Sequence, residues 1–257
     1  MVNFQSLKKS WLHMLIAVFA TFVLMAILSF LYQAQGAQAG EGTLHRIVTL
    51  LGGNILGGGY IQAMTYIAFI WSMLEIVDRF KEINHERRAF QLKFLSTNEK
   101  HLLLAEDINN LAFRVTELEK KNKYKSLVSS LIKKVCQKFR TSNSVPEVLE
   151  IITIQTDINK EKAESDQSLI RYLTWVIPSV GFIGTVLGIS QALSIANSGD
   201  MNLITKTLGV AFDTTLISLI LSIIVMFFFH DLQERTDKLH AQIKEYVVEN
   251  LVNKIEL

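Results

Sequence analysis

The stretch that decides the fold is Thr174–Phe229, which holds two apolar segments joined by a short polar connection. The first segment reads TWVIPSVGFIGTVLGISQALSIA from Thr174, and the second reads LGVAFDTTLISLILSIIVMFFF from Leu208. Each segment is long enough to cross a bilayer as a helix, which takes about 20 residues. We therefore expect two membrane-spanning helices connected as a hairpin.

Each of these helices carries a stripe of small and hydroxylated residues on one face. The first stripe consists of Gly181, Gly184, Thr185, Gly188 and Ala192, and the second consists of Ala211, Thr215, Ser218 and Ser222. In lipid, such a face permits close helix packing, and its hydroxyls can also bond a neighbouring helix or a passing ion. Packing alone is the commoner role, so the stripes by themselves leave both interpretations open.

The composition indicates a membrane protein with a substantial polar part. Of the 257 residues, 49% are hydrophobic and 19% are charged, and the net charge of +2 gives no indication of a nucleic-acid partner. The single cysteine, Cys136, excludes an intrachain disulfide. The histidines lack the spacing of metal ligands, so we predict no metal site and no resident cofactor.

Charge placement predicts the topology of four spans, at about residues 11–32, 57–76, 172–195 and 208–229. Lysines and arginines precede the first and third spans and follow the second and fourth. The short connections 33–46 and 196–207 contain only Arg46 and Lys206 as cations. The positive-inside rule then places both termini and the segment 77–171 in the cytoplasm. We predict an all-α protein with four transmembrane helices, in which long helices extend into a cytoplasmic helical domain.

These expectations divide the chain into four parts: a transmembrane hairpin at 1–76, a cytoplasmic helical region at 77–171, a second, pore-forming hairpin at 172–230 and a cytoplasmic C-terminal helix at 231–257. Apolar periodicity predicts cytoplasmic helices at about 98–121 and 124–140. Ser144-Val-Pro146-Glu147 has the form of a capping box that opens a further helix. The glycines between 52 and 59 predict either a flexible joint or a close approach of helices.

Two motifs, taken in order, resemble the MotA/TolQ/ExbB family. The run PSVGFIGTVLG begins at Pro178, and the run GVAFDTTLISL begins about 30 residues later at Gly209. The resemblance implies a homo-oligomeric ring, a pentamer, in the bacterial inner membrane. Such a ring surrounds a MotB/TolR/ExbD-like single-span partner helix that carries an essential Asp, and it couples ion flow to mechanical work on the cell envelope. The chain would be no enzyme.

The resemblance also implies which residues conduct ions. Thr185 and Thr215 match the two positions at which the family keeps channel-lining hydroxyls, and the proton is the expected ion. Sodium is the alternative, because the Thr214–Thr215 pair is similar to a pair in the sodium-driven members. The pore lining expected from both stripes consists of Thr185, Thr215, Ser218, Ser222, Gly181, Gly184 and Gly188.

Two residues inside the spans have competing roles. Pro178 removes a backbone donor and produces either a passive kink or a hinge that transmits changes in the pore. Asp213 is a carboxylate within a span, which costs about 2.5–3.5 kcal/mol unless it finds a partner. Its partner is either a polar group on a neighbouring helix or subunit, or a cation attracted to the pore entrance. Lys206 lies on the same helix face but two turns away.

Two rival classes of protein are weighed against the ion-driven motor. The first is a four-span membrane scaffold or sensor that signals through its cytoplasmic helices. The second is a secondary transporter, which would normally show repeated halves and a broken helix with its own charged site. A neighbouring reading frame that encodes a single-span protein with an intramembrane Asp would favour the motor subunit.

Overall fold

The computed structural model describes residues 4–34, 42–92, 94–95, 105–122 and 125–255. The described chain is helical almost throughout, which confirms the predicted all-α fold. Its α-helices are α1 (Phe4–Ala34), α2 (Thr43–Leu50), α3 (Tyr60–Ala89), α4 (Ala105–Asn122), α5 (Leu127–Ser142), α6 (Val145–Asp166), α7 (Ser168–Ser194) and α8 (Met201–Asn250). A π-helical turn at Ile55–Gly59 leads into α3, and 3-10 turns cover Phe90–Leu92, Ala196–Ser198 and Val252–Lys254.

The helices belong to two compact units. The membrane unit comprises Met1–Val77 and Ser168–His230, and the second unit comprises Asp78–Gln167 and Asp231–Leu257. Four helical stretches of the described chain are long and apolar enough to cross a membrane, which confirms the prediction of a multi-pass membrane protein. They are Lys8–Ala34, Ile55–Ala89, Val145–Ser194 and Met201–Lys254.

Helix α1 exposes large apolar side chains around most of its circumference. Phe19, Phe22 and Phe30 are 69%, 72% and 70% exposed. Only a narrow stripe, which includes the buried Ala17 and Thr21, packs against the rest of the membrane unit. Such a surface is stable in hydrocarbon but not in water, so α1 suits a position facing lipid.

Residues 42–59 form a cap at what we call the short-loop end, the end of the membrane unit where the connections 42–59 and 195–200 lie. Two carbonyls at the end of α2 accept hydrogen bonds from α3. Gln62 Nε2 donates to the Leu50 carbonyl at 3.3 Å, and the Tyr66 hydroxyl donates to the Leu51 carbonyl at 3.1 Å. The cap is therefore bonded to the helix that follows it.

The glycines of this cap permit close approach of backbones, the second of the two interpretations drawn from the sequence. Gly58 has a φ of 126°, and a Cβ placed on it would lie 2.6 Å from Val210 Cγ1 of α8. Gly59 lies so close to the Gly52 carbonyl that a side chain has no room there. A larger residue at Gly58 or Gly59 would push the cap away from its neighbours.

The second unit is built from amphipathic helices, and α5 packs against both α4 and α6. The predicted helix at 124–140 is α5, and the predicted helix at 98–121 is α4, whose predicted start at Asn98 lies outside the described residues. The apolar residues of α5 that are buried are Val128, Leu131, Ile132, Val135, Cys136 and Phe139. The C-terminal part of α8 buries an apolar stripe at Leu232, Leu239, Ile243 and Val247.

The predicted capping box at Ser144 is wrong in its side-chain contacts. Ser144 is the N-cap of α6 and Pro146 lies in its first turn, but the Ser144 side chain makes no capping hydrogen bond. Glu147 instead forms an ion pair with Lys138 at 2.5 Å, which draws it away from the N-cap amide. The capping box of this unit lies at α5, where Ser126 and Ser129 cap each other's backbone.

Candidate functional site

The small-residue stripes of α7 and α8 face each other inside one chain. A Cβ on Gly184 would meet Thr214 Oγ1 at 2.5 Å and Ile61 Cγ2 of α3 at 2.8 Å. At Gly181 the same atom would overlap the Ser218 hydroxyl, and at Gly188 it would meet Ala211 Cβ at 2.5 Å. These glycines therefore form a seam, the α7–α8 seam, in which helix backbones approach closely.

The hydroxyls of Thr185 and Thr215 meet across this seam. They are hydrogen-bonded to each other, and either oxygen can be the donor. Thr215 Oγ1 also lies 3.0 Å from the Gly181 carbonyl, and Thr185 Oγ1 lies 3.3 Å from the Ala211 carbonyl. Each hydroxyl carries a single proton and two lone pairs, so at least one acceptor position of the pair is left for water or an ion.

Exposure distinguishes this threonine pair from most of the other stripe residues, although Gly188 is also partly exposed. Thr185 and Thr215 are both partly exposed at the edge of the seam. Ser218 is fully buried and donates to the Thr215 carbonyl at 2.9 Å, and Ser222 is 5% exposed. Gly181 and Gly184 are buried as well. Within one chain, then, the glycines and serines pack the helices together, and the two threonines lie where a further molecule can reach them.

Thr214 turns away from that edge. It is 3% exposed, lies against Gly184, and donates its proton to the Ala211 carbonyl of its own helix at 2.7 Å. Its hydroxyl is thus occupied by the backbone, so Thr214 and Thr215 are not equivalent despite being adjacent. A pair of neighbouring threonines in the sequence corresponds here to one packed hydroxyl and one accessible hydroxyl.

Asp213 is held by an arginine on the short helix α2. Arg46 Nη1 donates to Asp213 Oδ2 at 2.5 Å and Nη2 donates to Oδ1 at 2.6 Å, so both carboxylate oxygens are engaged. Asp213 itself is only 3% exposed. The polar partner that the sequence requires for this buried side chain is therefore on a neighbouring helix of the same chain.

Pro178 lies inside α7, which runs as one helix from Ser168 to Ser194. The hydroxyl of Ser179 donates to the Trp175 carbonyl at 2.8 Å in the turn around the proline. The carbonyl that Pro178 leaves without its helical donor is that of Thr174, four residues earlier, so the Ser179 bond does not replace the missing one. The role of Pro178 as a hinge stays a prediction.

Sequence reasoning missed a second ionisable pair in the membrane unit. His13 Nδ1 of α1 lies 3.1 Å from Glu75 Oε1 of α3, and both side chains are 10% exposed. The signal was available, because an ionisable side chain inside a span requires a partner. The sequence prediction considers the histidines only as metal ligands, and it names no partner for Glu75, which lies at the end of the predicted span 57–76.

Among the described residues, no group of three or more His, Cys, Asp or Glu side chains is arranged so that it could hold a metal ion. The arrangement that remains is a helical membrane unit with a narrow polar seam and one accessible pair of hydroxyls. Such a unit can pack against a further helix and order water or a small cation there, which is the chemistry of a channel subunit.

Comparison with known proteins agrees with this description. Residues 123–245 match the model of the MotA/TolQ/ExbB proton channel family, and this region includes both threonines and the whole α7–α8 seam. The match covers the part of the chain that carries the site, and it confirms the resemblance inferred from the two motifs. The family is one of channels and motor subunits that work with partner proteins in membrane complexes, and not a class of enzymes. Neither a curated protein nor a solved structure matches the chain.

Proposed function

We propose that this chain is the ion-conducting subunit of a proton-driven motor complex in the bacterial inner membrane. Copies of the chain form a ring, a pentamer, around a MotB/TolR/ExbD-like partner helix that carries an essential Asp. Proton flow past this Asp is converted into mechanical work on the cell envelope. The match of residues 123–245 to the proton channel family supports the class of the proposal, and the geometry of α7 and α8 supports its mechanism.

The observation that carries the proposal is the Thr185–Thr215 pair. It links α7 to α8 by side-chain hydroxyls at the partly exposed edge of a seam in which Gly181, Gly184 and Ser218 are buried. A hydroxyl at such an edge can accept a hydrogen bond from water and donate one to a carboxylate. Facing the partner helix, the pair would order the water through which a proton reaches the partner's Asp.

The chain's own carboxylate in the last span does not take the place of the partner's Asp. Both oxygens of Asp213 are engaged by Arg46, and the side chain is 4% exposed. With both oxygens accepting hydrogen bonds from the guanidinium, this carboxylate has no free oxygen to turn toward the threonine pair. The proton-carrying group at the threonine pair must therefore come from the partner helix.

Thr185→Val and Thr215→Val test the proposal, because valine keeps the volume of threonine but removes the hydroxyl. We expect proton flux in liposomes that contain the chain and its single-span partner to fall strongly, while the ring still assembles. The matched control is Thr205→Val, which removes an exposed hydroxyl that is bonded to its own helix at the Met201 carbonyl. Normal flux in both seam variants would contradict the proposed pathway.

The same liposomes decide between protons and sodium. The proposal predicts flux under a pH gradient and no dependence of that flux on sodium. The buried Thr214 hydroxyl, which donates to its own backbone, supports protons, because a sodium site requires several oxygens that converge on one accessible point. Flux that follows a sodium gradient at constant pH would assign the chain to a sodium-driven complex instead.

A further inference from the structure

The Arg46–Asp213 ion pair joins the cap at the short-loop end to the turn of α8 that carries Thr214 and Thr215. Two parallel hydrogen bonds, at 2.5 and 2.6 Å, connect the guanidinium to the carboxylate. This two-bond geometry fixes the direction of the carboxylate, which a single contact from a lysine would not do. The pair thus restrains the orientation of α8 at Asp213.

Arg46 can restrain α8 because its own helix is attached to two others. The carbonyls of Leu50 and Leu51, at the end of α2, accept hydrogen bonds from α3. The ring of His45 stacks on Tyr32 of α1, with 5.1 Å between ring centroids. The arginine therefore projects from a short helix that is connected to both helices of the first hairpin.

The residues after Asp213 show what this restraint positions. Thr214 packs against Gly184 of α7, and Thr215 meets Thr185 one residue further along the helix. Successive residues of a helix are separated by about 100°, so an orientation fixed at Asp213 also fixes the direction of the next two side chains. A rotation of α8 that freed Asp213 would move Thr215 away from Thr185.

We propose that Arg46 is a positioning residue of the ion pathway, which sets the rotation of α8 through Asp213 and so aligns Thr215 with Thr185. The consequence for ion flux rests on the proposed function, whereas the alignment does not. In this role Asp213 is an anchor for α8 and does not attract cations to a pore entrance. The arginine acts on the pathway from outside it.

A disulfide measures the alignment without any ion flux. In a full-length chain with Cys136→Ala, the pair Thr185→Cys and Thr215→Cys places two thiols where the hydroxyls now meet. We expect rapid oxidation to an intrachain disulfide, quantified by mass spectrometry of the linked peptides, and a clear loss of rate when Arg46→Gln is added. The control is Lys206→Gln, which removes the same charge from an exposed position near the start of α8. An unchanged rate in the Arg46 variant overturns the proposal.

Flux and rescue form the second arm, in the ring with its partner and with all threonines present. Arg46→Gln and Asp213→Asn should both lose most of the flux, and the exchanged pair Arg46→Asp with Asp213→Arg should recover part of it. If Asp213 acted by attracting cations, Arg46→Gln would release its carboxylate and flux would be kept or raised. That result overturns the proposal.

Two further outcomes can be interpreted: one in which Arg46→Gln does not assemble, and one in which the proposed function itself fails. If Arg46→Gln does not assemble, Arg46→Lys, which keeps the charge but lacks the fork, is measured instead. A slower disulfide then supports the proposal and an unchanged rate overturns it. If the unsubstituted chain and partner conduct no ions, the proposed function fails, and the disulfide arm still decides whether Arg46 aligns the threonines.

Discussion

Residues of the same chemical type differ in this protein according to their hydrogen-bond partners. Thr214 and Thr215 are neighbours in the sequence, but the first donates to its own backbone while the second bonds Thr185 across the seam. Asp213 is similarly defined by its partner, because both of its carboxylate oxygens accept hydrogen bonds from Arg46. The chemical type of a residue limits its role, and its contacts decide that role.

Cys136 gives a test at this scale that is independent of the membrane unit. Burial raises the pKa of its thiol to about 12, since the charged thiolate is disfavoured away from water. The raised pKa keeps the group in its unreactive neutral form at and above neutral pH. We expect no labelling of the folded protein by a maleimide at pH 8 and complete labelling after denaturation in SDS. Rapid labelling of the folded chain would show that the second unit opens at α5.

At the scale of helices, the α7–α8 seam depends on the absence of side chains. Gly184 contacts both α8 and α3, so each of these helices would have to move if a side chain were added. The apolar cluster of Met25, Leu28, Tyr66 and Ile217 joins α1, α3 and α8 in the same unit. Movement of α8 away from α7 would therefore disturb this cluster as well.

Gly184→Leu tests the seam directly. Overpacking of a filled contact costs about 1–3 kcal/mol, so we expect a lower melting temperature in detergent and loss of monodisperse protein. Gly209→Leu is the matched control, because a Cβ on Gly209 of α8 meets no atom within 4 Å. A Gly184→Leu chain as stable as the control, whose ring assembles but fails to capture the partner, would place Gly184 at the lumen instead of in the seam.

For the whole molecule, the apolar surface of one chain is too large to be explained by its own packing. Trp175 and Phe182 of α7 are 75% and 66% exposed, and Phe212 and Phe227 of α8 are 60% and 69% exposed. In a membrane, lipid and neighbouring copies are the two kinds of surface that cover such side chains. Both α7 and α8 are therefore available for contacts with further helices.

The proposed ring makes a prediction at this scale. Native mass spectrometry of the purified protein in a mild detergent should give one homo-oligomer, with five copies of the chain. Coexpression with the single-span partner should add the mass of the partner without changing the number of copies. A spectrum that contains only monomers, under conditions in which the helical content is retained, would contradict the ring.

Local patterns were enough to predict the four spans, the apolar stripes of the second unit and the small-residue faces of α7 and α8. Hydropathy and periodicity are properties of a few turns of helix, so they can be read without knowing which helices become neighbours. The position of Asp213 within a span was also enough to predict that it needs a partner, because the cost of burying a charge does not depend on which residue supplies the opposite charge.

Only the tertiary structure decided which residue pairs with each buried ionisable side chain and what each small-residue stripe contacts. Arg46 lies 167 positions before Asp213, and Glu75 lies 62 positions after His13, so no periodicity connects either pair. The stripes of α7 and α8 likewise allowed either packing or a pore. Their assembly buried Gly181, Gly184 and the two serines and left Thr185 and Thr215 at the edge, because two helices in contact cover the middle of a shared face and not its rim.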